Sequence, residues 1–164
     1  MKKRGFTLVE LMVVVAIIAI LTAISVPMYT RFKQRSMTTN CIKSVMGNTS
    51  ALQSYWDERA TFAAIAVNVG ANGIVLQGVD DNNATIAIGT SLVDISDVTW
   101  GVANGGVNRV DITWAWAGRC PAAECDGRYC ISCTQDGCYT EIELVAGSSL
   151  NLNRRQDAAV DVCQ

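Results

Sequence analysis

Two sets of side chains in this sequence could do chemistry: a lone carboxylate within an apolar stretch, and a cluster of cysteines. The carboxylate is Glu10, and the cluster places five cysteines within nineteen residues, namely Cys120, Cys125, Cys130, Cys133 and Cys138. The 164 residues contain no histidine, so the commonest general base and the commonest metal ligand are both missing. The sequence has no nucleophile–base motif either. We therefore predict no enzymatic activity, no catalytic residue and no cofactor.

The cysteine cluster has two interpretations. Thiolates at this spacing could bind zinc, with Cys130-x-x-Cys133 joined by Cys120 and Cys125. Alternatively, disulfides pin a segment that has too little apolar content to hold itself. Six of the seven cysteines lie in the last third of the chain, which indicates an oxidising compartment and favours disulfides. We expect no metal site.

The other two cysteines are Cys41 and Cys163. Because the total is odd, at least one thiol must be free or bonded to another subunit. Cys41 lies next to the apolar stripe of a predicted helix, where it could pack as a small hydrophobic side chain. The spacing leaves the connectivity of the cluster open.

Glu10 lies in an apolar run that extends from residue 6 to residue 28. The run is interrupted only by Thr7, Glu10, Thr22 and Ser25. A helix of this length spans a bilayer core of about 30 Å. Three basic residues at positions 2–4 precede the run and should hold the start of the chain in the cytoplasm. The run therefore predicts a membrane-spanning helix.

The residues before and within this run carry a specific signal. A secretory signal places its small-residue cleavage site after the apolar run, whereas here Gly5 and Phe6 stand before it. The stretch that resembles the signal of type IV prepilins and their pseudopilin relatives comprises Gly5, Phe6, Thr7, Leu8, Val9 and Glu10, and continues to Pro27. The resemblance implies that a prepilin peptidase cleaves after Gly5 and methylates the amine of Phe6. It divides the chain into a cleaved leader (1–5), a transmembrane and filament-core helix (6–28) and a globular head domain (29–164).

Glu10 needs a physical explanation within such a helix. An ionised acid at the centre of a membrane helix costs about 2.5–3.5 kcal/mol on insertion scales, so such residues usually have a partner and a function. In a bundle of identical helices, the expected partner is the free amine of Phe6 on a neighbouring subunit. The two charges neutralise each other only at one stagger, so Glu10 is interpreted as setting the assembly register. The alternative is a glutamate that reaches the membrane interface without a partner.

Pro27 falls within the predicted helix. Because proline lacks an N–H group, we expect a kink or a local loosening there. Members of the pilin family commonly have a glycine eight residues earlier, where this chain has Ala19, a strong helix former. Stretching of the helix between these two positions on assembly should therefore be harder in this chain.

The predicted fold is α+β. Apolar residues at three- and four-residue spacing continue the helix to about Trp56. Alternating residues indicate strands at 110–116 and 138–145, with shorter candidates at 74–76 and 85–88 and a weaker one at 92–100. We expect the amphipathic half of the long helix to pack on a roughly four-stranded antiparallel sheet, with a disulfide-rich C-terminal region. The pilin resemblance implies the same architecture.

The acidic stretch Asp80-Asp81-Asn82-Asn83 also has two interpretations. Side-chain oxygens at Asp81, Asn83 and Thr85 alternate as they do in a calcium loop. The glycine and the distal glutamate of a calcium hand are missing, however. A surface turn is therefore favoured.

The pilin resemblance also implies one disulfide. Members of the family commonly tie their C-terminal region with a single bridge. Cys138 and Cys163 flank the last predicted strand and the tail in the matching way. The resemblance therefore implies that these two cysteines pair first.

Taken with the resemblance, these features predict a structural subunit of a type IV pilus, which serves adhesion, twitching motility or DNA uptake. Its partners would be other pilin subunits, the prepilin peptidase/methyltransferase and an inner-membrane assembly platform. It would lie in the inner membrane before assembly and in an extracellular filament afterwards. Two alternatives remain open, a pseudopilin of a type II secretion system and a membrane-tethered zinc-binding module. The formal net charge of −2, with acids and bases mixed, predicts no nucleic-acid-binding face.

Overall fold

The computed structural model describes residues 6–70, 73–94, 97–103, 106–117, 125–144 and 163. Two helices precede seven strands: α1 (Leu8–Met46), α2 (Thr49–Arg59), β1 (Ala66–Gly70), β2 (Gly73–Val79), β3 (Thr85–Leu92), β4 (Val98–Ala103), β5 (Arg109–Trp116), β6 (Gly127–Thr134) and β7 (Gly137–Leu144). The chain divides into two compact units, Met1–Ser36 and Met37–Gln164. The predicted α+β class is confirmed.

The strands form two antiparallel sheets in the second unit. One sheet has the order β1-β2-β3, and the other has the order β4-β5-β6-β7. The predicted four-stranded sheet is therefore accompanied by a three-stranded one. Strands β1 and β6 were not predicted, and the candidate at 92–100 is wrong, because Leu92 ends β3 and Val98 begins β4.

The predicted single helix to Trp56 is interrupted at Gly47 and Asn48, where a turn separates α1 from α2. The side chain of Asn48 is fully buried. Its Nδ2 donates to the carbonyl of Ser44 at 2.8 Å, and its Oδ1 accepts from the amide of Thr90 in β3 at 2.7 Å. The side chain of Asn48 thus pairs with a backbone carbonyl of α1 and with a backbone amide of β3. These hydrogen bonds favour a break at this position over a continuous helix.

Gly89 makes room for this asparagine. Its φ is +72°, and a Cβ built on it would overlap Oδ1 of Asn48. Only glycine meets both conditions without strain. A second helix side chain supports the same strand end, because Oγ of Ser44 accepts from the amide of Val93 at 2.8 Å.

The core of the second unit lies between the helices and the sheets. The helical stripe buries Cys41, Ile42, Val45, Leu52 and Tyr55, and the strands contribute Trp114, Tyr129 and Ile131. The hydroxyls of Thr49 and Tyr129 lie 2.7 Å apart in a hydrogen bond between α2 and β6. Full burial of one large aliphatic side chain contributes about 1.5–3 kcal/mol, so this stripe stabilises the second unit.

The acidic stretch closes a turn between β2 and β3. Oδ1 of Asp80 accepts hydrogen bonds from the amides of Asn82 at 2.9 Å and Ala84 at 2.8 Å. Asn83 has a φ of +61°, a left-handed conformation that asparagine tolerates. The surface-turn interpretation is confirmed, and the side chain of Asp81 forms an ion pair with Arg59.

Candidate assembly site and disulfide framework

The apolar side chains of the first unit are uncovered. The helical stretch Leu8–Arg59 contains an 18-residue window with a mean hydropathy of 2.7, long and apolar enough to cross a membrane, and none of that window is buried. Phe6, just before α1, is 83% exposed. A continuous apolar surface of this size needs lipid or another protein surface to cover it.

Glu10 forms a capping box with Thr7 at the start of α1. Its Oε2 accepts hydrogen bonds from the amide and the hydroxyl of Thr7, both at 3.4 Å, and its amide donates to Oγ1 of Thr7 at 3.2 Å. Such a box satisfies amides that are otherwise unpaired at a helix N-terminus. Glu10 thus has a role within a single subunit that the sequence interpretation missed. The Thr-x-x-Glu spacing is the signal that could have identified it.

The predicted cleavage position lies directly before this box. Gly5 is outside the described residues, and Phe6 is the residue that precedes Thr7. Cleavage after Gly5, methylation of Phe6 and the register role of Glu10 stay predictions at this point. Their common location is one end of α1, within one turn of the capping box.

Helix α1 continues through Pro27. The hydroxyls of Thr22, Ser25 and Thr30 donate to carbonyls three or four residues earlier, at 2.7–3.0 Å. These polar side chains are therefore satisfied within their own helix and need no partner in lipid. The predicted kink at Pro27 stays a prediction, as does the effect of Ala19.

Two disulfides join cysteines of the C-terminal region. Cys130 is bonded to Cys163, with Cα atoms 5.5 Å apart, and Cys133 is bonded to Cys138, with Cα atoms 4.0 Å apart. Cys125 is disulfide-bonded as well, and Cys120 lies outside the described residues. The disulfide interpretation of the cluster is thus confirmed for the described cysteines.

The predicted pairing of Cys138 with Cys163 is wrong, and the sheet register explains why. Cys133 and Cys138 are direct partners across the β6–β7 hairpin, so their side chains lie on the same face. Cys130 is three residues before Cys133 and therefore points to the opposite face, because side chains alternate along a strand. Cys163 lies on the face of Cys130, where Cys138 cannot reach it.

The same alternation contradicts the zinc interpretation. Cys130 and Cys133 lie on opposite faces of β6 and are both in disulfides, so they cannot bind one metal ion together. Among the described residues, no group of three or more His, Cys, Asp or Glu side chains could hold a metal ion.

Cys41 is buried in α1 and is a free thiol. Burial raises the pKa of its thiol to about 12, and a hydrogen bond with its own backbone opposes that rise. The reactive thiolate is therefore scarce at neutral pH. Cys41 packs as a small hydrophobic side chain, which is the role that the sequence suggested.

The Cys130 face of the second sheet buries two carboxylates. Asp111 in β5 is fully buried and accepts a bidentate pair of hydrogen bonds from Arg109, both at 2.8 Å. Glu141 in β7 accepts from the amide of Cys163 at 3.2 Å. The disulfide and this hydrogen bond together hold Cys163 against β6 and β7, and the guanidinium of Arg109 compensates for the buried charge of Asp111.

The sequence is similar to one family model and to several known proteins. Residues 1–26 match the family model described as the prokaryotic N-terminal methylation motif. The chain is 32% identical over 90 residues to a fimbrial protein of Neisseria meningitidis serogroup A, covering 51% of this chain and 53% of that protein. It is 38% identical over 69 residues to the type IV major pilin protein PilA of Myxococcus xanthus, covering 42% of this chain and 31% of that protein. No solved structure matches the chain.

One relative is matched over more of its length. The fimbrial protein EcpC of Eikenella corrodens is 31% identical over 104 residues, which cover 63% of this chain and 68% of that protein. The matches to the first two relatives cover about half or less of those proteins. The match to EcpC covers more than two thirds of that protein. It is also four times as long as the N-terminal motif, so it reaches beyond the signal into the rest of the chain. With its methylation motif, its uncovered apolar helix and these relatives, the chain belongs to the type IV pilins.

Proposed function

We propose that this chain is the structural subunit of a type IV pilus and that it polymerises through residues 6–28 into an extracellular filament. The observation that carries the proposal is the apolar window of α1, of which no part is buried within the chain. Lipid covers such a surface before assembly, and copies of the same helix cover it afterwards. At about 25 cal/mol per Å² of apolar area, this covering supplies a strong driving force for a helical filament core.

The subunit is processed at the N-terminal end of the apolar run before it is assembled. Residues 1–5 form a leader that a prepilin peptidase/methyltransferase removes, after which the amine of Phe6 is methylated. The subunit then lies in the inner membrane with its head domain (29–164) on the side away from the cytoplasm. An inner-membrane assembly platform transfers it into the filament. The methylation motif at residues 1–26 supports this order.

Two observations support a pilus over the alternatives. The relatives carry the names fimbrial protein and type IV major pilin protein, which favours a pilus over a type II secretion pseudopilus. A structural rather than an enzymatic role agrees with the absence of histidine from the sequence. Adhesion, twitching motility and DNA uptake are the roles proposed for the filament.

The test uses three variants of the full chain in a strain that lacks its own pilin. Glu10→Val removes both the capping box and the charge that pairs with the Phe6 amine. Glu10→Gln keeps an oxygen acceptor for the box but loses the charge, and Thr7→Val loses the hydroxyl of the box but keeps the charge. Filament yield after shearing and subunit content of the inner membrane are measured for each.

We expect Glu10→Val and Glu10→Gln to stop or sharply slow filament assembly while the subunit accumulates in the membrane, because both lose the register contact. Thr7→Val should assemble nearly normally. If Glu10→Val gave filaments at normal abundance without a wild-type copy, the register role would be wrong. If Thr7→Val failed and Glu10→Gln assembled, the capping box and not the charge would be the assembly requirement.

A further inference from the structure

Charge is distributed unevenly between the two units. The segment from residue 29 to residue 36 contains Arg31, Lys33 and Arg35 and no acid, whereas residues 37–164 contain fourteen acidic and seven basic side chains. A basic segment thus follows the apolar run directly, and the remainder of the chain is strongly acidic. Copies of such a chain are electrostatically complementary to each other when the basic segment of one meets the acidic part of another.

Two of the three cations line a groove on α1, which we call the arginine groove: Met28, Arg31, Phe32 and Arg35. The other three positions follow Met28 by three, four and seven residues, so the four side chains lie on one face of the helix. The groove has a volume of about 310 Å³ and two guanidinium groups one turn apart, with the exposed side chains of Met28 and Phe32 beside them. Lys33 is two residues from each arginine and lies on another face.

The second unit carries two adjacent exposed acids of charge opposite to this groove, which we call the acidic patch: Asp57 and Glu58. Asp57 and Glu58 are exposed in the last turn of α2, and Asp81 is paired there with Arg59 while its side chain remains 92% exposed. Acids at a helix C-terminus meet the negative end of the helix dipole, which is unfavourable until a cation approaches.

We propose that the arginine groove of one subunit binds the acidic patch of a second copy of this chain in the filament. Arginine presents a planar fork that pairs with carboxylates in bidentate fashion, and Met28 and Phe32 would be covered by the same contact. In the membrane the two arginines lie at the end of the apolar run, beside lipid headgroups. Extraction removes those anions, and the acidic patch replaces them. The inference rests on the proposed function, because it requires copies in one assembly.

The experiment exchanges the charges in the full chain, in a strain that lacks its own pilin. One variant is Arg31→Glu with Arg35→Glu, a second is Asp57→Lys with Glu58→Lys, and a third combines all four changes. Lys33→Glu is the matched control, because it reverses a charge on the same helix away from the groove. Sheared filament yield, its dependence on salt, and the amount of subunit in the membrane are measured.

Each reversal alone should lower filament yield about tenfold or more, since two attractive charge pairs become repulsive in each contact. The four-fold exchange should restore the yield to within about threefold of wild type, because the pairs are re-formed with opposite polarity. Lys33→Glu should stay within about twofold of wild type. Salt should weaken wild-type filaments and strengthen those of the two single reversals.

Three results would overturn the pairing while leaving the filament itself established. The first is a four-fold exchange that does not restore the yield while the wild type forms filaments. The second is a Lys33→Glu effect as large as that of the groove reversal. The third is loss of the groove variant from the membrane before assembly. The last would identify anionic lipid headgroups as the partner of the groove. Absence of filaments from the unmodified chain would instead count against the proposed function, and with it against any contact between copies.

Discussion

The two units of this pilin treat apolar side chains in opposite ways. In residues 37–164 the large apolar side chains of α2 and the strands are buried among themselves, from Leu52 in the helix to Trp114 in the sheet. In residues 6–32 they are almost all exposed. Of the twenty exposed large hydrophobic side chains in the part of the chain that the structure describes, seventeen lie in this segment.

This difference separates folding from assembly. The second unit buries its large apolar side chains among themselves, so its stability belongs to the single subunit. The apolar helix satisfies its backbone and its hydroxyls internally, as the hydrogen bonds of Thr22 and Ser25 illustrate, but leaves its side chains for an external partner. One chain therefore contains a self-sufficient part and a part that is complete only in lipid or in a polymer.

Removing the apolar part is the strongest test of this contrast. A head beginning at Tyr29 should be soluble without detergent and should fold under oxidising conditions, because its core uses no side chain of the removed segment. Circular dichroism and cooperative urea unfolding would check this, with the full chain in detergent as the control. A head that stayed unfolded would place part of the folding information in the anchor.

Removing the disulfides tests how much of the unfolding free energy of the head comes from its covalent cross-links. The Cys130–Cys163 bridge closes 33 residues and the Cys133–Cys138 bridge closes five. The chain-entropy relation predicts a loss of about 4 kcal/mol for the first and about 2 kcal/mol for the second. Urea unfolding of the double alanine variants of each pair would measure both losses, and each pair serves as the matched control for the other.

A larger loss for the short bridge would contradict this ordering and would assign the main stabilisation to the β6–β7 hairpin. Thiol counting on the denatured, unreduced wild-type chain provides an independent check. It should give one free thiol, that of Cys41, which native protein should withhold from alkylation because its pKa is raised to about 12.

The smallest expected effect concerns the contact between α2 and β6. Tyr129→Phe removes the hydrogen bond to Thr49 and should cost about 1 kcal/mol of unfolding free energy at neutral pH. Burial raises the pKa of Tyr129 to about 12, and hydrogen bonds with Thr49 and Thr140 oppose that rise. Because the folded pKa exceeds the unfolded value of about 10, this stabilisation is complete below pH 10 and is lost as pH rises through 12.

Wild type should therefore lose about 1 kcal/mol more than Tyr129→Phe between pH 9 and pH 11. Urea unfolding of the two heads over this range measures the difference, and the other tyrosines and Cys41 cancel because both proteins contain them. Parallel pH profiles would mean that Tyr129 ionises freely and that its burial does not contribute to the contact.

The sequence predicted the local features well and the long-range ones poorly. The apolar run, the signal around Gly5 and Phe6 and the α+β class depend on neighbouring residues or on simple periodicity. The pairing of Cys138 depends on the register of the β6–β7 hairpin, and β6 was not predicted as a strand. The break at Asn48 depends on an amide in β3, 42 residues away.

Two features were readable but were overlooked. Strand β6 places Tyr129, Ile131 and Cys133 on one face, an alternation that is visible in the sequence. The Thr7–Glu10 capping box follows from spacing alone. In both cases a residue type that can do chemistry, thiol or carboxylate, also has a structural role at the same position.

The turn at Asn48 has a mechanical consequence for a filament under tension. A pull on a helix would load its connection to the rest of the head, and Asn48 and Ser44 join this helix to the end of β3 through side-chain bonds to two separate amides. Two hydrogen bonds that are loaded together share the force, so each of them carries less of it. Replacement of the buried asparagine would therefore weaken a filament under tension more than a filament at rest.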